Sequence, residues 1–238
     1  MTTRTAETSP LIYARVSGFL YLIIFVGAIF SGMLTSRIVP GDATATVNNI
    51  LASELLFRIG FIGWLVHSFC EIVLSVLLYV LLKPVSKTLA LLMASLRLVH
   101  IAILGINLLN LFFALLLLSG ADYLTVFETN QLHALVLLFL DAHKYGFAIG
   151  LTIFGFHVFF LGYLVLKSDY FPRILGVLLI IASFGYLIDS SATFLFPNYE
   201  TYPVIMVPLF IAELSFALWL LFKGVNVEQW EKRALESA

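Results

Sequence analysis

Six long apolar stretches, at residues 14–34, 57–82, 89–118, 133–166, 173–196 and 203–223, constrain this chain more than any other feature. A helix needs about 20 mainly apolar residues to cross roughly 30 Å of hydrocarbon, and each stretch supplies them. The balance of residues agrees: 61% are hydrophobic and only 11% charged, against roughly 25% charged in a typical soluble domain. Too little polar surface is left to coat a soluble globule. The expected fold is therefore all-α, a polytopic transmembrane bundle of about six spans. No polar segment is long enough to bury a core of its own, so residues 1–238 read as one domain.

The first span follows a short leader holding Arg4 and Arg15. Val26-Gly27-Ala28 has the small residues of a signal-peptidase site, yet the apolar run continues to Met33, which predicts an uncleaved span. The third and fourth stretches are long for one crossing, and tilt, a kink or an interfacial first turn would accommodate them. After Pro40-Gly41, Asp42 is placed to cap a short helix leading into the second span. The segment 119–131 and the turn 197–203 carry acidic and aromatic residues without cations, and their tyrosines suit a membrane interface.

Orientation follows from the cations. With the N-terminus inside, the cytoplasmic segments hold Arg4, Arg15, Lys83, Lys87, Lys167, Arg173, Lys223, Lys232 and Arg233. The opposite side holds only Arg37 and Arg58. This asymmetry predicts that both termini are cytoplasmic. The net charge is −1, with no basic tail or stripe, which leaves nucleic-acid binding without a basis. Cys70 is the single cysteine, so neither an internal disulfide nor a thiolate zinc site is available.

Ionisable groups inside a span are costly and face the protein interior, so they are functional candidates. The lysines that close the spans serve as depth markers. Glu71 precedes Lys83 by twelve residues, His157 precedes Lys167 by ten, Glu213 precedes Lys223 by ten, and Arg97 follows Lys87 by ten. At 1.5 Å per residue all four lie roughly 15–18 Å from the lysines, near the midplane. Two readings compete for this layer: a self-neutralising cluster that fixes helix packing, or a site for a ligand, proton or ion. In the first, Arg97 pairs with Glu71 or Glu213, and the second acid is protonated or bonded to His157.

Other polar residues extend the layer. His67, Cys70 and Glu71 share one helical face, either as a hydrogen-bonded interior or as part of a metal site. Arg97, His100, Asn107 and Asn110 spread over one side of the third span, where asparagines bond between helices. His143, Gly146, Gly150 and His157 share a face of the fourth, which lets another helix or a flat ligand come close. Two stacked haems would need His67 and His100 as second axial ligands, and their depths match poorly. Asp189 either joins Asp141, His143 and Lys144 in a vestibule or caps a bend near the surface. No metal or cofactor is expected.

Several segments together resemble a bacterial membrane-protein family catalogued as domain of unknown function 4386. They are Ile38-Val39-Pro40-Gly41-Asp42, Leu81-Leu82-Lys83-Pro84-Val85, Leu104-Gly105-Ile106-Asn107-Leu108-Leu109-Asn110, Pro172-Arg173-Ile174-Leu175-Gly176 and Gly185-Tyr186-Leu187-Ile188-Asp189. The resemblance covers nearly the whole chain and implies a compact multi-pass protein of a bacterial cytoplasmic membrane. It implies no activity.

Three functions remain open. A structural or regulatory membrane partner would use the polar layer only for packing. A binding or transport protein would take a small molecule, lipid or ion at that layer, and as a carrier would pair with a second copy, since six spans are few. An intramembrane metal-dependent hydrolase would draw on His67, His100, His143 or His157 with Glu71 or Asp189, though no His-Glu-x-x-His run is present. The topology has a direct test. In a Cys70→Ala background, an impermeant thiol reagent on intact cells should label a cysteine at Asp122 and miss one at Ser86; the opposite pattern would reverse the orientation.

Overall fold

Side-chain caps set where several helices begin in the computed structural model, which describes residues 9–196, 199 and 203–237. The leader with Arg4 and most of the acidic and aromatic turn at 197–203 lie outside the described residues. Ser9, Asp42, Ser86 and Asn226 each accept a hydrogen bond from a backbone N–H two or three residues ahead. Glu128 and Gln131 form a reciprocal capping box. These starts open five of the eight α-helices, and there is no strand among the described residues. The helices are α1 (Pro10–Thr35), α2 (Ala43–Leu51), α3 (Glu54–Leu82), α4 (Lys87–Leu117), α5 (Thr129–Lys167), α6 (Arg173–Leu195), α7 (Pro203–Phe222) and α8 (Val227–Glu236). The expected all-α class is what the structure shows.

Five helices, α1, α3, α4, α5 and α6, are long and apolar enough to cross a membrane. The pair Val207–Phe222 and Val227–Glu236, bent by 99°, makes a sixth if it is taken as one span. At 20 residues α7 itself reaches about 30 Å. Each of these six packs on its sequence neighbour, and α7 returns to α1, so the helices close a ring around one axis.

Lys83, Lys167 and Lys223 gather at one end of the ring. There Leu81 O accepts from both Tyr170 O–H (2.8 Å) and Trp230 Nε1–H (2.9 Å), and Asn226 N–H reaches Tyr170 O at 3.4 Å. Burial pushes the Tyr170 phenol up, which keeps its proton available for that bond. These contacts strap the charged helix α8 across the lysine end, at 99° to the preceding helix. The apolar pattern gives no sign of this helix, because Glu228, Glu231, Lys232, Arg233 and Glu236 make it a surface segment.

The opposite, distal end explains the length of the third and fourth spans. With 31 and 39 residues, α4 and α5 reach roughly 46 and 58 Å. Their distal ends pack with α2 and the start of α3 in a second core built on Val47, Ile50, Phe57, Leu111, Val136 and Leu140. The excess length thus carries a cap. Asp42 does cap the short helix expected there, but Ala52 and Ser53 break it from α3.

Within a bilayer, helices associate through close packing, and small residues permit it. A Cβ on Gly176 of α6 would lie 2.6 Å from Leu166 N and 2.7 Å from Gly162 O of α5. A Cβ on Gly18 of α1 would lie 2.7 Å from Ala217 O of α7. Backbone cannot give way as a side chain can. Gly176→Val should therefore cost at least the ~1–3 kcal/mol typical of overpacking, read as a lower melting temperature of purified protein. Gly105→Ala, whose Cβ meets nothing within 4 Å, should instead stabilise by about 0.5–1 kcal/mol through helix propensity.

Candidate functional site

All six ring helices send a side chain to the axis at one level. Tyr21 comes from α1, Glu71 from α3, Arg97 from α4, Phe154 and His157 from α5, Tyr186 from α6 and Glu213 from α7. Arg97 is wholly buried, Tyr21, Glu71, His157 and Glu213 are buried with it, and Tyr186 is partly buried. Its Nε donates to Glu71 Oε2 at 2.6 Å. Its Nη1 faces His157 Nε2 at 3.0 Å and Tyr21 Oη at 3.3 Å. The guanidinium also lies over the rings of Tyr21 (5.2 Å) and Phe154 (5.5 Å), a contact worth more where water is excluded. Nη2 has no partner among the described residues.

The partners decide the tautomer of His157. Its Nδ1 lies 2.8 Å from Met93 O, which can only accept, so Nδ1 carries the proton. Arginine can only donate, so Nε2 must be the bare nitrogen. His157 is thereby a neutral link between Arg97 and the α4 backbone. The sequence-based pairing of His157 with Glu213 is not the one observed. Glu213 instead accepts from Tyr186 O–H at 2.5 Å. The reason is positional: His157 sits beside Met93 and Arg97 of α4, while Glu213 faces α6.

The other in-span histidines follow the same rule. Nδ1 of His67 faces Ile24 O (3.2 Å), that of His100 faces Gly150 O (2.8 Å), and that of His143 faces Asn107 O (3.3 Å). Each bond crosses to a neighbouring helix. Asn107 adds a bond from Nδ2 to His143 O (2.9 Å) and is held by Asn110. The small face of α5 receives α4: a Cβ on Gly146 would meet Asn107, and one on Gly150 would meet His100. His67 Nε2 stands 4.0 Å from Glu71 Oε1, and Cys70 is buried beside them. Among the described residues no group of three His, Cys, Asp or Glu could hold a metal ion. Asp189, buried on α6, accepts from Tyr199 O–H at 2.8 Å.

Above this cluster, toward the distal end, an open cavity of about 490 Å³ lies between α1, α3, α4 and α5, with exposed Ile29, Ile38 and Lys144 at its edge. Ala28 and Gly32 of α1, Leu111 of α4 and Leu140 of α5 form apolar walls. Trp64 and Phe147, 5.9 Å apart, stand between the cavity and His67. Thr35, Ser36, His143 and Lys144 supply its polar atoms. The segment carrying Ser36 and Ile38 is tied to α2 by Val39 N–H, which donates to Thr46 Oγ1 at 2.9 Å.

Sequence reasoning placed Glu71, Arg97 and His157 at a common depth, and the structure brings those three into contact. It missed Tyr21 and Tyr186, because neutral phenols escape a search for charges. The cavity left no sequence signal, since its walls read as ordinary span residues. Arg97 now has a defined partner, so the acids separate. Glu71→Gln strands a buried cation and should cost about 3–5 kcal/mol, lowering folded yield. Arg97→Met should cost less, since a lone glutamate can take up a proton. Glu213→Gln, which keeps a partner in Tyr186, should be milder than Glu71→Gln. Adding Arg97→Met to Glu71→Gln should restore part of the yield; equal melting of all variants would dismiss the cluster as a packing element.

Comparisons with known proteins agree with the bundle and stop short of an activity. A family model described as "Domain of unknown function (DUF4386)" matches residues 16–224. An "Uncharacterized protein" of Archaeoglobus fulgidus is 36% identical over 160 residues, covering 67% of this chain and 80% of the relative. That relative is archaeal, so it does not carry the bacterial setting that the resemblance implied. No solved structure matches at a significant level.

Proposed function

Because the chain belongs to the family of Domain of unknown function (DUF4386), whose description carries no activity, we propose its function from geometry: it binds a lipophilic small molecule within the bilayer, in the distal cavity. The observation that supports this is the cavity itself. Its volume of about 490 Å³ falls in the roughly 300–1,000 Å³ range of small-molecule sites. Its walls are mostly apolar, its polar lining comes from Thr35, Ser36, His143 and Lys144, and the segment above it is pinned to α2.

The axis cluster takes the structural part in this reading. Arg97, Glu71 and His157 bond one another and the α4 backbone, and aromatic rings cover them, which supports a packed floor rather than a passage. Transport across the membrane would require that floor to open. The lysine end is taken to face the cytoplasm, on the strength of the cation asymmetry.

Gly32 makes the reading testable. Gly32 lines the cavity and a Cβ there meets only Trp64, at 3.9 Å, so a larger side chain has room to start into the cavity. Gly32→Phe should raise the melting temperature of the ligand-free protein and remove stabilisation by lipophilic compounds. The parent should gain about 2.7 kcal/mol at a ligand concentration 100 times Kd. A parent that no member of a lipophilic panel stabilises would defeat the proposal.

A further inference from the structure

Lys144 is the residue that the packing does not explain. It lies exposed on the distal part of α5, where a cation can meet water or a bound anion. Yet among the described residues it enters no ion pair or hydrogen bond, although Asp141 stands three residues earlier on the same helix. It lines the cavity together with His143, Thr35 and Ser36, and no acidic residue is among the described residues that line it. The polar rim is therefore one-sided in charge: a cation, a histidine and the hydroxyl of Ser36, since Thr35 Oγ1 already donates to Ser31 O at 2.8 Å.

Depth gives the rim a direction. Lys144 precedes Lys167 by 23 residues, about 35 Å along the helix, which places it at the distal edge of a roughly 30 Å hydrocarbon layer. Ala28 follows Arg15 by 13 residues, about 20 Å, so the apolar walls reach down into the layer. A molecule filling this space would hold its tail among Ala28, Gly32 and Leu140 and its head beside Lys144. A single chain with its head group suits about 490 Å³; the paired chains of a phospholipid overfill it.

We propose that the cavity takes a free fatty acid, its carboxylate held by Lys144 with the hydroxyl of Ser36 and its chain lying along α1 and α5 toward Trp64. This rests on the cavity reading above and adds the charge and class of the head group. An ammonium donating to a carboxylate is a charge-assisted bond, stronger than the same contact to a hydroxyl.

The test uses the full chain in nanodiscs of phosphatidylcholine, at alkaline pH so that the carboxylate is ionised. Palmitate, hexadecanol and hexadecylamine are titrated, with thermal stabilisation and displacement of a fluorescent acyl probe as readouts. The parent should bind palmitate about 10-fold or more tighter than hexadecanol, and hexadecylamine most weakly. Lys144→Met should bring palmitate and hexadecanol to within about 2-fold, Lys144→Arg should keep the preference, and Gly32→Phe should abolish both. Lys144 is exposed, so these variants leave the packed core untouched. Equal binding of acid and alcohol, or a preference that survives Lys144→Met, overturns the fatty-acid assignment and leaves the cavity reading standing. Lys144-dependent stabilisation by phosphatidylglycerol discs, without palmitate binding, overturns it in favour of a membrane phospholipid. Binding of none of the chains overturns the cavity reading as well.

Discussion

An arginine that cannot reach water governs this bundle. Arg97 stays charged under all ordinary conditions, and the ring leaves its side chain no exposure. The protein must therefore bring it an anion, acceptors and polarisable faces at one level. Glu71 supplies the anion, His157 and Tyr21 accept or flank, and two aromatic rings cover the plane. Four helices, α1, α3, α4 and α5, are committed by that single requirement. The remaining two join through Tyr186 and Glu213, with the Tyr186 ring 5.2 Å from Phe154. Register between helices follows, because sliding any of the four by one turn would remove a partner from a buried cation.

The histidines extend this logic upward from the cluster. A helix carbonyl already bonded within its own helix retains a lone pair, and in the absence of competing water a neighbouring N–H can use it. His67, His100, His143 and His157 each spend Nδ1 in this way on an adjacent helix. Their shared role is to pin α3 to α1 and α4 to α5, and it sets one tautomer for all four. Glycines complete the scheme where backbones touch, at Gly18 against α7 and at Gly162 and Gly176 between α5 and α6. Polar bonds and close backbone contact thus replace the hydrophobic drive that lipid removes.

The two ends of the ring then differ. Toward the lysines the interior is filled by one continuous core, from Leu74 and Leu81 to Leu164 and Leu220. Toward the distal end residues of α1 and α5 line an open space, with Ser36 and Ile38 of the segment leading to α2 at its edge. A cavity results, floored by Trp64 and Phe147 and sealed below by the charge cluster. The same rigidity that satisfies Arg97 therefore supports a preformed space above it, and preformed sites lose less freedom when they bind.

What the sequence determined about this protein was local and one-dimensional. Hydropathy marked the spans, and helical rise assigned Glu71, Arg97, His157 and Glu213 a common depth, because neither depends on what the helices touch. The short helix after Asp42 was legible from its cap. What only the tertiary structure decided was lateral. Arg97 chose Glu71 over Glu213 and His157 turned to Met93, because the rotation of each helix about its axis comes from packing among all six. Helix α8 and the cavity were likewise hidden: the first is held by bonds to Leu81 and Tyr170, and the second is a gap between helices. A gap has no residue of its own, so it exists only once the six helices are placed around their buried charge.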